Sequence, residues 1–241
     1  MLVVVLAVLV AANLLTNLLA QRWYVPVCVV SAGVLVALGL RSGLTRADLG
    51  LGKGTIGKGL LWAAVLVVLV IAGYVVAASI PHLGAAFSDR RAMTSTGRQI
   101  AARVLVAIPL GTVLLEETAF RGVLLAELRR DVGTGWAVAL SSVVFGLWHV
   151  LPARTMHAEH EAFGSLAGGG RRGRAVAVAG TVAFTAAAGV LFAGLRLWSD
   201  SLLPPVGLHW AVNGMGVAIA WRKGARSARR PAGSERDAAS R

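Results

Sequence analysis

The stretch that decides the fold is Leu114–Arg130, LLEETAFRGVLLAELRR. It is an apolar helical run with two adjacent carboxylates, Glu116 and Glu117, and one arginine, Arg121, set inside it. A charge at the centre of a bilayer helix costs about 2.5–3.5 kcal/mol on insertion scales, so three of them in one span require partners. Helix geometry supplies the first pairing. Glu117 and Arg121 are four residues apart with the acid on the N-terminal side, the better orientation for a helical ion pair. Glu116 is rotated about 100° from Glu117, and Phe120 occupies the position four residues on from it. One glutamate is therefore expected to find its partner within its own helix and the other to look outward for one. Taken alone, these residues also suit a purely structural role, a buried ion pair that orients helices beside a protonated Glu116.

The rest of the chain fits a membrane setting. Its 241 residues are 56% hydrophobic and only 15% charged, and the mean hydropathy is +0.72. This length suits one domain, and this composition is that of a polytopic membrane protein rather than a soluble one. The net charge of +13 would suggest nucleic acid in a soluble chain. Here the basic residues lie mostly in loops and in the tail, which points to retention at the cytoplasmic face of a membrane and to no nucleic-acid partner. A single cysteine, Cys28, excludes an internal disulfide and any cysteine-based structural metal site.

Apolar runs at Met1–Ala20, Val25–Leu40, Gly59–Ile80, Ile100–Leu128, Gly135–Val150, Ala175–Trp198 and Leu202–Trp221 predict an all-α, polytopic transmembrane bundle of about seven spans. Residues 1–222 would form one catalytic membrane domain and residues 223–241 a basic, disordered cytoplasmic tail. Pro109 is expected to kink the fourth helix ahead of the glutamates. Loops are expected at Arg41–Lys58, His82–Gln99 and Leu151–Arg174. The last contains HAEHEAFG, which lacks the HExxH spacing of a zinc protease, and GGGRRGR, which lacks the ending of a phosphate loop. With seven spans and a cytoplasmic tail the N-terminus falls outside, which sets the basic Arg41–Lys58 loop on the wrong side for its charge.

Polar groups recur at helical spacing in three separate spans. The first carries Glu116, Glu117 and Arg121, the second Phe145 and His149, and the third His209 and Asn213. Each of the last two pairs is four residues apart, on one helix face. Facing one another, they would give a single cavity a carboxylate, two imidazoles and an amide. These are parts for hydrolysis: a carboxylate to take a proton from water, a histidine to hold that water, and donors for an oxyanion. No serine or cysteine is placed as a nucleophile, so water is the expected attacker.

EETAFR, FGLWH and HWAVN resemble, in order, the EExxxR, FxxxH and HxxxN motifs of the CAAX protease and bacteriocin-processing family of intramembrane endopeptidases. The neighbouring RADLGL, FRGVLLAEL and SLLPPVGLHWAVNG are similar to that family too, so the likeness runs from about Arg41 to Trp221. The resemblance implies eight spans, an eighth beyond the seven found. It implies Glu116 as catalytic base, His149 as its partner in activating water, His209 and Asn213 as the oxyanion site, and Glu117, Arg121 and Phe145 as supporting residues. It also implies a peptide or protein substrate at or within a membrane, bacteriocin processing or self-immunity among the possible roles, and an integral protein of the bacterial cytoplasmic membrane in contact with lipid.

No cofactor is firmly implied. Zn²⁺ stays open as an alternative, with Glu116, His149 and His209 as its ligands, because three such ligands leave a fourth position for water. A glutamate-activated water needs no metal. Two other classes use the same residues: an ion-coupled transporter with a site at the midplane, and a non-catalytic immunity or partner protein. The two halves of the chain show no internal repeat of the kind a transporter would carry.

Overall fold

The computed structural model describes residues 1–80, 90–156 and 170–228. All regular structure among these residues is helical. Helix α1 (Leu2–Leu14) runs on through a wider π-helical turn, Leu15–Leu19, and a tight turn at Gln21–Trp23 leads into α2 (Tyr24–Arg41). Helix α3 is Ile56–Ser79, α4 is the short Arg90–Thr94, and α5 is the long composite Gly97–Val132. Then follow α6 (Thr134–Trp148), α7 (Val150–Met156), α8 (Gly170–Ser199) and α9 (Leu203–Ala228).

Six segments among the described residues are long and apolar enough to cross a membrane: Leu2–Leu19, Gln21–Arg41, Lys53–Ser79, Gly97–Val132, Thr134–Arg154 and Arg172–Ser199. The seventh expected span is present as α9, long enough to cross but not among those six. Its His209, Asn213, Arg222 and Lys223 lower its hydropathy, and it lies against α3, α4 and the first half of α5. The bundle is thus an integral membrane architecture whose last helix is less apolar than those six segments.

Three sequence expectations change. Within the expected loop His82–Gln99, α4 forms and α5 begins at Gly97. The start of α5 is fixed by a capping box: the Thr96 hydroxyl accepts from Gln99 N–H while the Gln99 side chain accepts from Thr96 N–H. The expected loop Leu151–Arg174 is shortened from both ends by α7 and by the start of α8, which takes the basic Gly170–Arg174 into a helix. His157, Glu159, His160 and Glu161 lie outside the described residues. Helix α9 continues to Ala228, past the tail boundary expected at 222.

Helix α5 is the centre of the bundle. Every residue from Leu115 to Leu128 is buried, enclosed by α1, α2, α6 and α8. Instead of one sharp kink at Pro109, the backbone widens into π-helical bonding over Arg103–Val113 and again over Glu117–Leu124, with a three-residue α-helical piece, Leu114–Glu116, between. Proline has no N–H to give to the ladder, and the wider winding spreads that defect over several residues. Such π segments are frequent at functional sites. Tyr24 of α2 packs on the backbone at Gly111, where an added Cβ would come within 2.5 Å of its ring. Its hydroxyl is 2.8 Å from Thr112 Oγ1.

Small residues let α6 and α8 meet closely. A Cβ on Gly146 would stand 2.7 Å from the Val182 carbonyl oxygen, and one on Gly189 would stand 3.0 Å from Ser142 Cα. The RADLGL loop is fixed from beneath by Arg196 of α8, whose Nη2 donates to the carbonyls of Ala47 (3.1 Å) and Asp48 (2.7 Å). Gly50 has φ +74°, and any side chain there would strike the Arg196 guanidinium. Its carbonyl accepts from Leu202 N–H at 3.0 Å, so the loop holds the start of α9 in place. Thr45 donates to the Asp48 carboxylate through its hydroxyl and its N–H, which keeps Asp48 below the usual carboxyl range. A second tie joins the far end of α5 to the end of α2: buried Glu127 binds Ser42 Oγ and Arg130, and Arg130 donates to the Ser42 carbonyl at 3.0 Å. Loop and α9 start therefore share one end of the bundle, and the last turns of α9, with Arg222 and Lys223, lie toward the other. Basic residues stand at both ends, and their count alone sets no orientation.

Candidate active site

Glu116 closes the short α-helical piece of α5, Glu117 opens the π-helical stretch after it, and both are buried, at 5% and 0% exposure. The two carboxylates point into different surroundings. Glu117 Oε1 accepts from Arg121 Nη1 at 3.2 Å, the pairing their spacing predicted. The same oxygen accepts from His209 Nδ1 at 2.7 Å. Arg121 is itself 2% exposed and lies between two aromatic rings, 3.9 Å from the Phe145 centroid and 4.8 Å from that of Phe192. Cation–π contact supplies part of what the guanidinium loses on leaving water.

Glu116 faces the other way. Its Oε1 accepts from the indole N–H of Trp148 at 3.0 Å. Its Oε2 takes no hydrogen bond from the protein. That oxygen stands 3.9 Å from His149 Nε2 and 3.8 Å from His209 Nε2. These separations are too long for direct hydrogen bonds, and at such distances a bridging water is the usual connector.

The imidazole protons follow from their partners. His149 Nδ1 is 2.8 Å from the Phe145 carbonyl oxygen, which only accepts, so Nδ1 carries the proton and Nε2 presents a lone pair. His209 Nδ1 meets a carboxylate and likewise carries a proton. Phe145 orders the whole group: its ring stands edge-on to His149 (4.7 Å) and to His209 (6.4 Å), while His209 stacks on Phe192 at 5.3 Å. Asn213 lies one turn beyond His209 on α9, half-buried. Glu116, Trp148, Thr16, Asn17, Tyr24 and Thr112 also border a cavity of about 40 Å³, room for roughly three waters.

The structure thus brings Glu116, Glu117, Arg121, Phe145, His149 and His209 into one cluster and sets Asn213 next to it. Residues 98–215, which hold all three motifs, match the family model described as Type II CAAX prenyl endopeptidase Rce1-like. That segment, just under half of the chain, belongs to that family. No curated protein and no solved structure matches the chain. As a member of a CAAX endopeptidase family with six membrane-length apolar segments among the described residues, it is a membrane-integral peptidase in general class, and a peptide or protein is its general substrate.

Zn²⁺ can be tested against this geometry. Around a tetrahedral zinc with ligands at about 2.0–2.1 Å, neighbouring ligand atoms stand roughly 3.3–3.4 Å apart. The Glu116–His149 and Glu116–His209 separations are wider, 3.9 and 3.8 Å. Among the described residues no group of three His, Cys, Asp or Glu side chains converges enough to hold a metal ion. The donor chemistry suits zinc, but the placement of these three side chains does not fit it.

Three contributors escaped sequence reasoning. Trp148 sits inside FGLWH, directly before His149, where an indole N–H in a polar motif was the available signal. Phe192 lies in a helix rich in alanine and glycine and carries no local signal. Asn13 of α1 is buried and donates from Nδ2 to the Trp148 carbonyl at 2.8 Å. An asparagine within an apolar span was its sign.

Proposed function

We propose that this chain is an intramembrane endopeptidase in which Glu116 is the general base for a water held jointly with His149. The supporting observation is the free Glu116 Oε2, facing two imidazole Nε2 atoms at 3.8 and 3.9 Å while Oε1 is tied back. A water between Oε2 and the His149 lone pair donates one hydrogen to each. Its own lone pair is then left to attack a scissile carbonyl carbon. The attack transfers a proton to Glu116 and opens the C=O bond to an oxyanion. His209, with a proton on each ring nitrogen, donates from Nδ1 to Glu117 and from Nε2 to that oxyanion, and Asn213 supplies a second donor. Collapse of the tetrahedral intermediate breaks the C–N bond, and Glu116 returns its proton to the leaving amine.

No metal takes part in this scheme. The catalytic unit runs through α9 to Ala228, in a bacterial cytoplasmic membrane, with the basic tail on the cytoplasmic face near anionic lipid. The substrate is a membrane-bound or membrane-adjacent protein. Bacteriocin processing or self-immunity would be one setting for it.

The test uses the full-length protein in proteoliposomes with a peptide library read by mass spectrometry. Cleavage is expected, unchanged after dialysis against a strong chelator. Loss on chelation with recovery on adding Zn²⁺ would replace the glutamate mechanism by a metal one. Substrate-dependent proton flux without cleavage would support a transporter instead.

A further inference from the structure

The matched family segment begins at residue 98, yet the hydrogen bonds that set the orientation of Glu116 begin at residue 13. Trp148 is buried, and its indole N–H can only donate. It binds Glu116 Oε1 at 3.0 Å, and that bond decides which oxygen is held back and which is presented to His149 and His209. The carbonyl of Trp148 is held in turn by Asn13 Nδ2 at 2.8 Å. Its ring is held by Phe120, edge-on at 5.6 Å.

The carbonyl of Trp148 lies where α6 ends and the chain turns through His149 into α7. In an unbroken helix that carbonyl would accept from the N–H four residues on, but that residue is Pro152, which has none to give. Here α1 gives it a donor from another element. Asn13 is in turn seated within its own helix, because Asn17 Nδ2 donates to its backbone carbonyl (2.9 Å) and its side-chain oxygen (3.1 Å). A polar chain thus runs from α1, through the backbone of α6, to a carboxylate on α5. Every member is buried or half-buried.

We infer that Trp148 is a positioning residue for the Glu116 carboxylate and that Asn13 locks it in place, which makes α1 part of the active centre. The inference rests on the proposed role of Glu116. Without the indole donor, the carboxylate is free to turn about its last torsion and loses a charge-assisted bond. Substrate contacts are untouched, so the effect belongs in kcat.

The experiment uses full-length protein in proteoliposomes and a fluorogenic version of a library peptide that the wild-type protein cleaves. Trp148 is replaced by benzothienylalanine, which keeps the bicyclic shape and substitutes sulfur for N–H. The expected result is a drop in kcat of about ten- to hundredfold, the range for a hydrogen bond to a charged group, with KM and thermal unfolding unchanged. Asn13→Leu is expected to lower kcat in the same sense, and Asn13→Ala serves where Asn13→Leu reduces membrane abundance. Combined with the Trp148 replacement, either Asn13 change should add little further loss, because the two act through one bond. An unchanged kcat in the benzothienylalanine protein overturns the inference, as does a rise in KM alone. Losses that multiply remove Asn13 from the chain. Glu116→Gln runs alongside: if it cleaves like the wild type, the base assignment has failed, and that outcome is distinct from failure of the Trp148 role.

Discussion

Helices α3 and α5 are both long and apolar, and they are built to opposite rules. The α3 segment has the higher window hydropathy, 2.8, and none of that window is buried. The α5 segment has a window hydropathy of only 1.6, and 33% of it is buried. In water the more apolar helix would go inside. In lipid the surroundings are already apolar, so burial is decided by polar groups that need partners and by small residues that allow close approach. Helix α5 carries Glu116, Glu117, Arg121 and Glu127, all buried. Helix α3 turns Val68, Leu69 and Val76 outward and touches α9 through small residues, as where a Cβ on Gly207 would meet Ala63 at 2.9 Å.

That contrast can be broken by mutation. The largest expected effect is Glu116→Gln, which keeps the side-chain volume and removes the base. Cleavage should fall about 10²–10⁴-fold while membrane abundance stays normal, measured on the same preparations. Next come Arg121→Ala and Glu117→Gln. Each leaves one partner of a buried pair alone, a loss of about 3–5 kcal/mol visible in thermal unfolding and abundance. Glu117→Gln should also reduce any residual activity, because it weakens the hold on His209. A well-folded Glu117→Gln that is inactive, beside an active Glu116→Gln, would exchange the roles of the two residues. Gly146→Leu forces side-chain atoms toward the Val182 carbonyl and should cost about 1–3 kcal/mol by overpacking α6 against α8. The smallest effect belongs to Val68→Ala on the outer face of α3, expected within about 0.5 kcal/mol. A loss there as large as that of Arg121→Ala would mean that α3 has a protein partner on that face and that the comparison is wrong.

Much of this was legible in the sequence, for local reasons. Apolar runs marked the helices, and the Glu117–Arg121 spacing alone gave a correct ion pair. What stayed hidden depends on distant residues or on backbone atoms. The His209 Nδ1 bond to Glu117 links residues 92 apart, and nothing in HWAVN says which glutamate it will meet. The Arg196 bonds go to carbonyls, which every residue has, so the partner of that buried charge could not be read from side-chain chemistry. The start of α5 was readable and missed: Thr96 and Gln99 carry the capping-box spacing, but the polar residues around them resemble a loop. The π-helical winding was unreadable because Pro109 suggests a kink and gives no sign of how the backbone will absorb it.

That winding has a consequence for how the chain tolerates changes in length. A π-helical stretch is an α-helix carrying surplus residues within its turns. Removing one residue between Arg103 and Val113 can therefore be taken up by tightening to ordinary winding, with Glu116 still facing the histidines. The same deletion inside the ordinarily wound Thr134–Trp148 finds no slack, and everything beyond it, His149 included, turns by about 100°. Two one-residue deletions in neighbouring spans, alike in an alignment, should thus leave one enzyme nearly intact and the other without its centre.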